Sequence, residues 1–358
     1  MLVKKLYDKF INSGKVRIFL ASLMLLTTSV RFDAQFLDWQ LDRAHNVKAL
    51  TIDEPIRIMT YNLGGGCFDA EYYQTSGQMA IDADNLMPAS PARVRTNVIN
   101  MMQKMNNEDP DIILTQEVTQ NFPKTPSVNI FRMLGESMPY RIRFADNFNF
   151  LDFASKGNAT LYRHTSYHYH IRSPHQREGF INNTFTGNQS TLVSRFPIAD
   201  EEFDLLTKNV HLPAFAINID IKYKDLSELL RRSVIEYERG NFIVIGGDIN
   251  TPLNIIREET GVNHFICFLD EDVQELFFGE NPWRVYAPDH PTARSLFMPA
   301  YADDAVWSTI DGFIVSPNVE VLEVRTVLNE DGLPDFTASD HAPVVIDIRL
   351  NPTRIRTP

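Results

Sequence analysis

Short apolar runs recur along this 358-residue chain, and they constrain its fold more than any other feature. Most are only a few residues long, rich in β-branched side chains and bounded by polar turns, which is typical of β-strands. The runs occupy residues 56–61, 112–115, 160–162, 191–194, 214–221, 242–245, 312–315 and 344–348. The sequence therefore predicts a fold built mainly on sheets.

Two segments have the spacing of helices instead. The first begins after Ser90, a favourable N-cap that precedes Pro91, and it ends before Pro110. The second is predicted over residues 225–239, with Gly240 beyond its end. Many strands with few helices favour two sheets packed face to face, with the helices on the outside.

The N-terminal segment differs from the rest of the chain. Basic residues lead into a mostly apolar stretch at 16–30, which is the form of a secretory signal and short for a membrane span. The cleavage site is poor, so a retained anchor stays open. We expect residues 1–34 to be the signal or anchor, 35–50 a lead-in, 51–352 a single catalytic domain and 353–358 a tail. The expected location is secreted or periplasmic.

The composition is that of an ordinary globular protein, with 44% hydrophobic and 22% charged residues. The net charge is −12, and removal of residues 1–34 would take away six basic and two acidic residues and lower it to −16. Such a chain would repel a polyanion unless basic residues cluster or metal intervenes. Cys67 and Cys267 are the only cysteines, and a disulfide and two free thiols are both open.

Polar side chains stand where the predicted strands end. They are Asn62, Glu117, Asp248 with Asn250, Asp311, and Asp340 with His341. Each one alone could serve a turn or a cap. Ionised groups avoid full burial unless they are paired or bound to metal, so the whole set indicates a shared polar cleft.

These strand ends carry short motifs in a characteristic order. They read Tyr61-Asn62, Gln116-Glu117, Gly247-Asp248-Ile249-Asn250, Ile310-Asp311-Gly312-Phe313 and Ser339-Asp340-His341-Ala342-Pro343, with a further block at Gly187-Asn188 and Ser194-Arg195-Phe196-Pro197-Ile198. Over residues 56–348 the pattern resembles the endonuclease/exonuclease/phosphatase superfamily, which includes proteins like deoxyribonuclease I and neutral sphingomyelinase. The resemblance implies an α/β four-layer sandwich of two mainly antiparallel β-sheets, with helices outside and a divalent metal in the cleft.

The resemblance also implies a metal site and its ligands. Glu117 would be the principal ligand, with support from Asn62 and Asp340. Hard oxygen ligands of this kind suit Mg²⁺ or Mn²⁺, which bind few protein carboxylates and keep waters or take substrate phosphate oxygens.

The same resemblance gives the catalytic residues their expected roles. Asp248 would position or deprotonate the attacking water, and Asn250 would donate a hydrogen bond to a phosphate oxygen. His341 would contact the scissile phosphate, with Asp311 fixing the orientation and tautomer of its ring.

A second histidine has two interpretations. Asn209-Val210-His211-Leu212 is similar to a family stretch that ends a strand and carries a catalytic histidine. The predicted strand at 214–221 follows His211 instead of preceding it, however, so an exposed histidine at a hairpin turn stays open.

The expected function is a secreted, metal-dependent phosphoesterase acting through in-line attack of water. Its substrate is open among nucleic acid, a phospholipid and a soluble phosphate ester. A lipid hydrolase would expose aromatic residues on a loop, and Phe277, Phe278, Trp283 and Trp307 lie where such a loop could be, although core positions are favoured for them. The alternative is a binding or effector module that keeps the fold without turnover. No protein partner is indicated, and a monomer is expected.

Overall fold

The computed structural model describes residues 49–73, 89–120, 128–150, 154–173, 190–214 and 219–352. Contacts divide the chain into two units, Met1–Val47 and Lys48–Pro358. The first unit, the predicted tail and the motif at Gly187-Asn188 lie outside the described residues, so the expectations for them stay predictions. Among the described residues, no helix has the length and apolar character needed to cross a bilayer.

The first sheet has six strands. In chain order they are β1 (Ile56–Asn62), β2 (Ile112–Gln120), β3 (Arg141–Phe150), β4 (Ala154–Tyr162), β13 (Val319–Thr326) and β14 (Val344–Leu350). Their order across the sheet is β13-β14-β1-β2-β4-β3. Only β1 and β2 run parallel, and the other neighbouring pairs are antiparallel.

The second sheet also has six strands. They are β5 (Tyr167–Arg172), β6 (Ser190–Pro197), β7 (Asp204–His211), β8 (Phe242–Asp248), β9 (Arg284–Tyr286) and β12 (Asp311–Val315). Their order is β5-β6-β7-β8-β12-β9, with β7 and β8 the parallel pair. A short two-stranded ribbon joins β10 (Ala293–Arg294) to β11 (Trp307–Ser308).

The helices cover the outer faces of the two sheets. Helices α1 (Pro91–Glu108) and α2 (Ile130–Ser137) share an apolar cluster with the first sheet. Helices α3 (Ile219–Glu238) and α4 (Glu271–Gln274) share another with the second sheet. A third cluster fills the space between the sheets, with Ile58, Leu114, Phe196, Val244 and Phe313 among its fully buried members. The predicted α/β fold of two mainly antiparallel sheets with helices outside is confirmed.

Both predicted helices are present. The side chain of Ser90 accepts a hydrogen bond from Arg93 N–H at 3.2 Å, which caps the N-terminus of α1. Val94, Val98 and Met101 line its fully buried face, so the apolar stripe of this helix is core packing.

The predicted strand at 214–221 is wrong. Ile219 and the two residues after it lie in the first turn of α3, and Ala214 lies outside any strand. The alternating apolar residues fit a strand pattern, but the longer helical pattern downstream extends back to Ile219, and residues 215–218 lie outside the described residues. The strand that the family pattern requires is β7, which precedes His211 and ends on it.

Candidate active site

One row of the second sheet carries three of the candidate residues. His211 ends β7, Asp248 ends β8 and Asp311 begins β12. In the strand register His211 lies opposite Asp248, and Asp248 lies opposite Asp311. Directly opposed residues project from the same face of a sheet, so the register alone brings these side chains together.

The first sheet supplies two more candidates from neighbouring parallel strands. Asn62 ends β1 and lies opposite Gln116 of β2, next to Glu117. Glu117 has a left-handed φ of 56° at a β-bulge of β2. Such a bulge redirects a side chain from the regular alternation of the strand.

Asp340 and His341 lie in the segment that leads into β14. The Ser339 hydroxyl donates to the Asn62 carbonyl oxygen at 2.9 Å and ties this segment to the end of β1. Gly64 leaves room for the Asp340 carboxylate, because a Cβ at that position would lie 2.6 Å from Asp340 Oδ1. The φ of Gly64 is 52°, a left-handed value that glycine adopts without strain.

His341 and Asp311 form a buried pair. Nδ1 of His341 lies 2.8 Å from Asp311 Oδ2, and the same oxygen accepts a hydrogen bond from the Thr292 hydroxyl at 2.7 Å. Burial alone would lower the pKa of His341, but the charge and hydrogen bond of Asp311 outweigh it and raise that pKa well above the ordinary histidine value. Its other ring nitrogen, Nε2, lies 3.8 Å from Asp248 Oδ2.

Asp248 is the central carboxylate of the cleft. Its Oδ2 accepts a hydrogen bond from the Asn62 side-chain amide at 3.0 Å, and its Oδ1 accepts one from the Asn250 backbone N–H at 2.9 Å. Burial, followed by the charge of Asp311, raises the pKa of Asp248. The side-chain amide of Asn250 donates to the Leu212 carbonyl oxygen at 2.9 Å, which orients this residue at the rim of the cleft.

Glu117 is held ionised chiefly by Lys156. Lys156 Nζ lies 2.7 Å from Glu117 Oε2, and His211 Nε2 lies 3.9 Å from Oε1. Burial opposes the charge on Glu117, but Lys156 and His211 outweigh it and lower the pKa of Glu117 to about 2. Glu117 is therefore a carboxylate at any physiological pH.

His211 is not an exposed residue of a hairpin turn. Its side chain is 12% exposed, and Nε2 lies 3.5 Å from Asp248 Oδ2. Burial lowers the pKa of His211 to about 4, so the ring is neutral near pH 7. The structure thus brings His211 into the same cleft as His341.

The donor set fits a hard divalent cation. Glu117 offers an ionised carboxylate, and Gly64 leaves space for that of Asp340. Burial raises the pKa of Asp340, and the charge of Glu117 adds to that rise, as expected for two carboxylates that share a site. The oxygen of the Asn62 side chain accepts a hydrogen bond from Gly64 N–H at 3.0 Å, which fixes that amide beside them. Oxygen ligands of this kind are those that Mg²⁺ and Mn²⁺ prefer.

A second group of donors lies close by. One atom each of Asp248, Asp311 and His341 lie within 4.8 Å of one another. The hydrogen bond between His341 and Asp311 already occupies one ring nitrogen. This group thus combines an imidazole with two carboxylates, whereas the Glu117 group offers oxygen donors alone.

The structure adds residues that the sequence motifs did not assign. Lys156 approaches Glu117 from β4, and Thr292 approaches Asp311 from the segment before β10. Beneath the cleft, Gln116 Nε2 donates to Asn209 Oδ1 at 2.8 Å and links the two sheets. Gln116 and Asn209 stand inside the quoted motifs, which is a sequence signal, whereas Lys156 and Thr292 carry none.

The two cysteines, Cys67 and Cys267, are free thiols. Of the aromatic residues considered for a membrane-facing loop, Phe277 and Trp283 are each only 4% exposed and belong to the core, whereas Phe278 is exposed.

Comparison with known proteins places this cleft in context. A sequence profile of the Endonuclease/Exonuclease/phosphatase family matches residues 59–341. A search of curated protein sequences gives no match.

Several solved structures share the fold. A functionally unknown conserved protein from Enterococcus faecalis V583 is 17% identical, with a TM-score of 0.54 over 83% of this chain and 100% of that one. An endonuclease/exonuclease/phosphatase from Beutenbergia cavernae DSM 12333 is 18% identical, with a TM-score of 0.52 over 83% and 72% of the two chains. One from Bacteroides vulgatus is 15% identical, with a TM-score of 0.52 over 84% and 100%. At these identities the likeness concerns the fold.

Proposed function

This chain belongs to the endonuclease/exonuclease/phosphatase family, and on that premise we propose that it is a metal-dependent phosphoric ester hydrolase. Members of the family hydrolyse phosphoester bonds. The observation that carries the proposal is the pairing of His341 with Asp311 at 2.8 Å, with the free ring nitrogen directed to within 3.8 Å of Asp248. A charged histidine and a buried carboxylate side by side are the groups that move protons in hydrolysis.

His341 and Asp248 have complementary tasks in this proposal. His341, kept protonated by Asp311, donates a hydrogen bond to a phosphoryl oxygen or to the leaving group as negative charge develops there. Asp248 orients the attacking water and accepts its proton, and its raised pKa makes it a better base than an ordinary aspartate. Asn250, fixed by its hydrogen bonds to Asp248 and Leu212, lies where it can contact a phosphate oxygen.

Glu117, Asp340 and Asn62 would hold the divalent ion, Mg²⁺ or Mn²⁺. When bound, that ion neutralises the charge of the phosphate and acts as a Lewis acid. Without a counter-charge, Glu117 and Asp340 would repel a phosphate group. Neutral His211 can donate a hydrogen bond to the substrate without adding a further charge.

The experiment is a substrate panel with Mg²⁺, Mn²⁺ and excess chelator. The panel contains plasmid DNA, sphingomyelin vesicles and a soluble generic phosphodiester and phosphomonoester, which separate the three open substrate classes. We expect metal-dependent turnover of at least one and loss of it in Asp248→Asn. Full turnover by metal-free protein would refute the metal requirement. No turnover of any substrate, with metal bound, would favour the binding module.

We also propose that the protein acts outside the cytoplasm, because the basic and apolar pattern of residues 1–34 is that of an export signal or anchor. Cell fractionation and N-terminal sequencing of the mature protein test this. A cytoplasmic protein that retains residue 1 would refute it.

A further inference from the structure

Lys156 reaches into the cleft although no motif assigns it a role there. Its Nζ lies 2.7 Å from Glu117 Oε2, and the two side chains are 29% and 19% exposed. The strand register explains the approach, because Lys156 of β4 pairs with Thr119 of β2, two residues beyond Glu117. The bulge between Thr115 and Val118 leaves Glu117 unpaired in the ladder.

The two oxygens of Glu117 have different neighbours. Lys156 contacts Oε2, while Oε1 lies 3.9 Å from His211 Nε2 and faces the cleft. A buried carboxylate without a nearby positive charge is costly. Lys156 supplies that charge at Oε2, while Oε1 keeps only the longer approach of His211.

We propose that Lys156 is a positioning residue that stands in for the divalent cation at Glu117. This inference rests on the metal assignment of the proposed function. Before metal binds, the ammonium group orients the Glu117 carboxylate and stabilises the folded cleft. When the ion binds at Glu117, the positive charge of Lys156 opposes it, because like charges a few ångströms apart repel strongly in a partly buried site. Lys156 thus holds Glu117 in place before metal binds, and it lowers the affinity of the site for metal.

Three substitutions separate the charge of Lys156 from its hydrogen bond. Lys156→Met removes both, and Lys156→Gln keeps a donor without the charge. Lys156→Arg keeps the charge. A matched control is Arg57→Met, which breaks an ion pair with Asp347 of similar exposure, with Nε and Oδ1 2.8 Å apart, at the opposite end of β1. Each protein is freed of metal and titrated with Mn²⁺ and with Mg²⁺ by calorimetry, and its melting temperature is measured with and without metal.

We expect Lys156→Met and Lys156→Gln to bind metal about tenfold more tightly than the wild type, since a repulsive charge is gone. Their metal-free melting temperatures should fall by several degrees, with a larger rise on metal addition. Lys156→Arg should resemble the wild type, and Arg57→Met should lose stability with no change in metal affinity.

The results distinguish a failure of the metal assignment from a failure of the role proposed for Lys156. No metal binding by the wild type would remove the metal assignment and this inference with it. Wild-type binding with equal or weaker affinity in Lys156→Gln would overturn the role of Lys156 alone. If Lys156→Met does not fold, the glutamine variant decides.

Discussion

The two histidines of the cleft have similar surroundings and opposite chemistry. Both rings are nearly buried, and both place Nε2 within 4 Å of the same oxygen of Asp248, at 3.8 Å for His341 and 3.5 Å for His211. The two rings differ in how close a second carboxylate, Asp311 or Glu117, lies to each of them. Asp311 contacts His341 Nδ1 at 2.8 Å, whereas Glu117 lies 3.9 Å from His211.

The hydrogen bond between His341 and Asp311 has no counterpart of similar length between His211 and Glu117, and it favours the charged form of His341. A hydrogen-bonded carboxylate overcomes the cost of burial and raises the pKa of His341, while burial prevails at His211 and lowers its pKa to about 4. Near pH 7 the cleft therefore holds one cationic and one neutral imidazole. In the proposed mechanism, His341 therefore donates the proton and His211 acts as a neutral hydrogen-bond donor.

Loss of His341 or its partner should have the largest effect. We expect His341→Ala to lower kcat by about 10³-fold and Asp311→Asn by about 10²-fold, because proton transfer and charge stabilisation are lost together. The double variant should be little worse than His341→Ala, since the pair acts as one unit. Metal affinity should stay unchanged, because neither residue is assigned to the metal. Strictly additive losses would mean that the two residues do not cooperate.

Asp311→Asn should also reduce the asymmetry between the rings. Without the charge of Asp311, burial opposes only the weaker effects of Asp248 and Asp340, so the pKa of His341 should fall. Histidine side-chain NMR of the metal-free protein over pH 4–10 measures this, with His211→Gln used for assignment. An unchanged His341 titration would contradict the assigned cause.

The same pair should leave a pH signature in stability. A raised folded pKa means that the contribution of His341 is fully present below the unfolded value, about 6.5, and is lost as pH rises through the folded pKa. Asp311→Asn should therefore destabilise the metal-free protein more at pH 6 than at high pH. Denaturant unfolding of both proteins from pH 6 to high pH tests this trend. A loss of stability in Asp311→Asn that grows as pH rises would contradict the interpretation.

His211 should show the opposite trend with a smaller catalytic effect. Its folded pKa of about 4 lies below the unfolded value, so the wild type loses stability as pH falls from about 6.5 to 4. His211→Gln should lose less stability in that window, by about 1–3 kcal/mol at its acid end. We expect turnover at pH 7 to fall by about tenfold. Equal acid sensitivity in both proteins would show that His211 is not buried as a neutral ring.

The smallest effect should come from Thr292. Its hydroxyl donates to Asp311 Oδ2 and accepts the backbone N–H groups of Ile310 and Asp311 at 3.0 Å each. Thr292→Val should lower kcat only a few-fold and cost about 1–3 kcal/mol of stability, because buried N–H groups lose their acceptor. Thr292→Ser keeps the hydroxyl and should behave like the wild type. A loss of kcat as large as that of Asp311→Asn would show that Thr292 contributes as much to catalysis as Asp311 does.

Much of this architecture was open to prediction from sequence. The β1, β8 and β14 strands are short, apolar and sharply bounded, and both long helices have clear apolar stripes. The strand β7 was missed, since Asp204–His211 contains Lys208 and Asn209, polar residues that are buried here by partners elsewhere in the chain. Lys208 Nζ, for example, reaches the Ser233 hydroxyl of α3 at 2.6 Å.

The roles of the cleft residues were harder to predict than which residues form the cleft. Residues at the ends of strands predict a cleft, but the opposite states of His211 and His341 depend on distances set by sheet packing. Lys156 and Thr292 reach Glu117 and Asp311 from segments distant in sequence. A single sequence gives no sign of such pairings, because they arise only when the strands align.

The place of β14 also determines when the cleft can exist. β1 opens the described fold and pairs with β14 near the chain's end, with Ile56 opposite Ile348, while Asp340 and His341 immediately precede that last strand. During synthesis, Asn62 and Glu117 emerge long before either residue. A chain whose synthesis has not yet passed β14 therefore lacks the complete set of groups. Any hydrolytic activity is expected only after β14 has been made and has paired with β1.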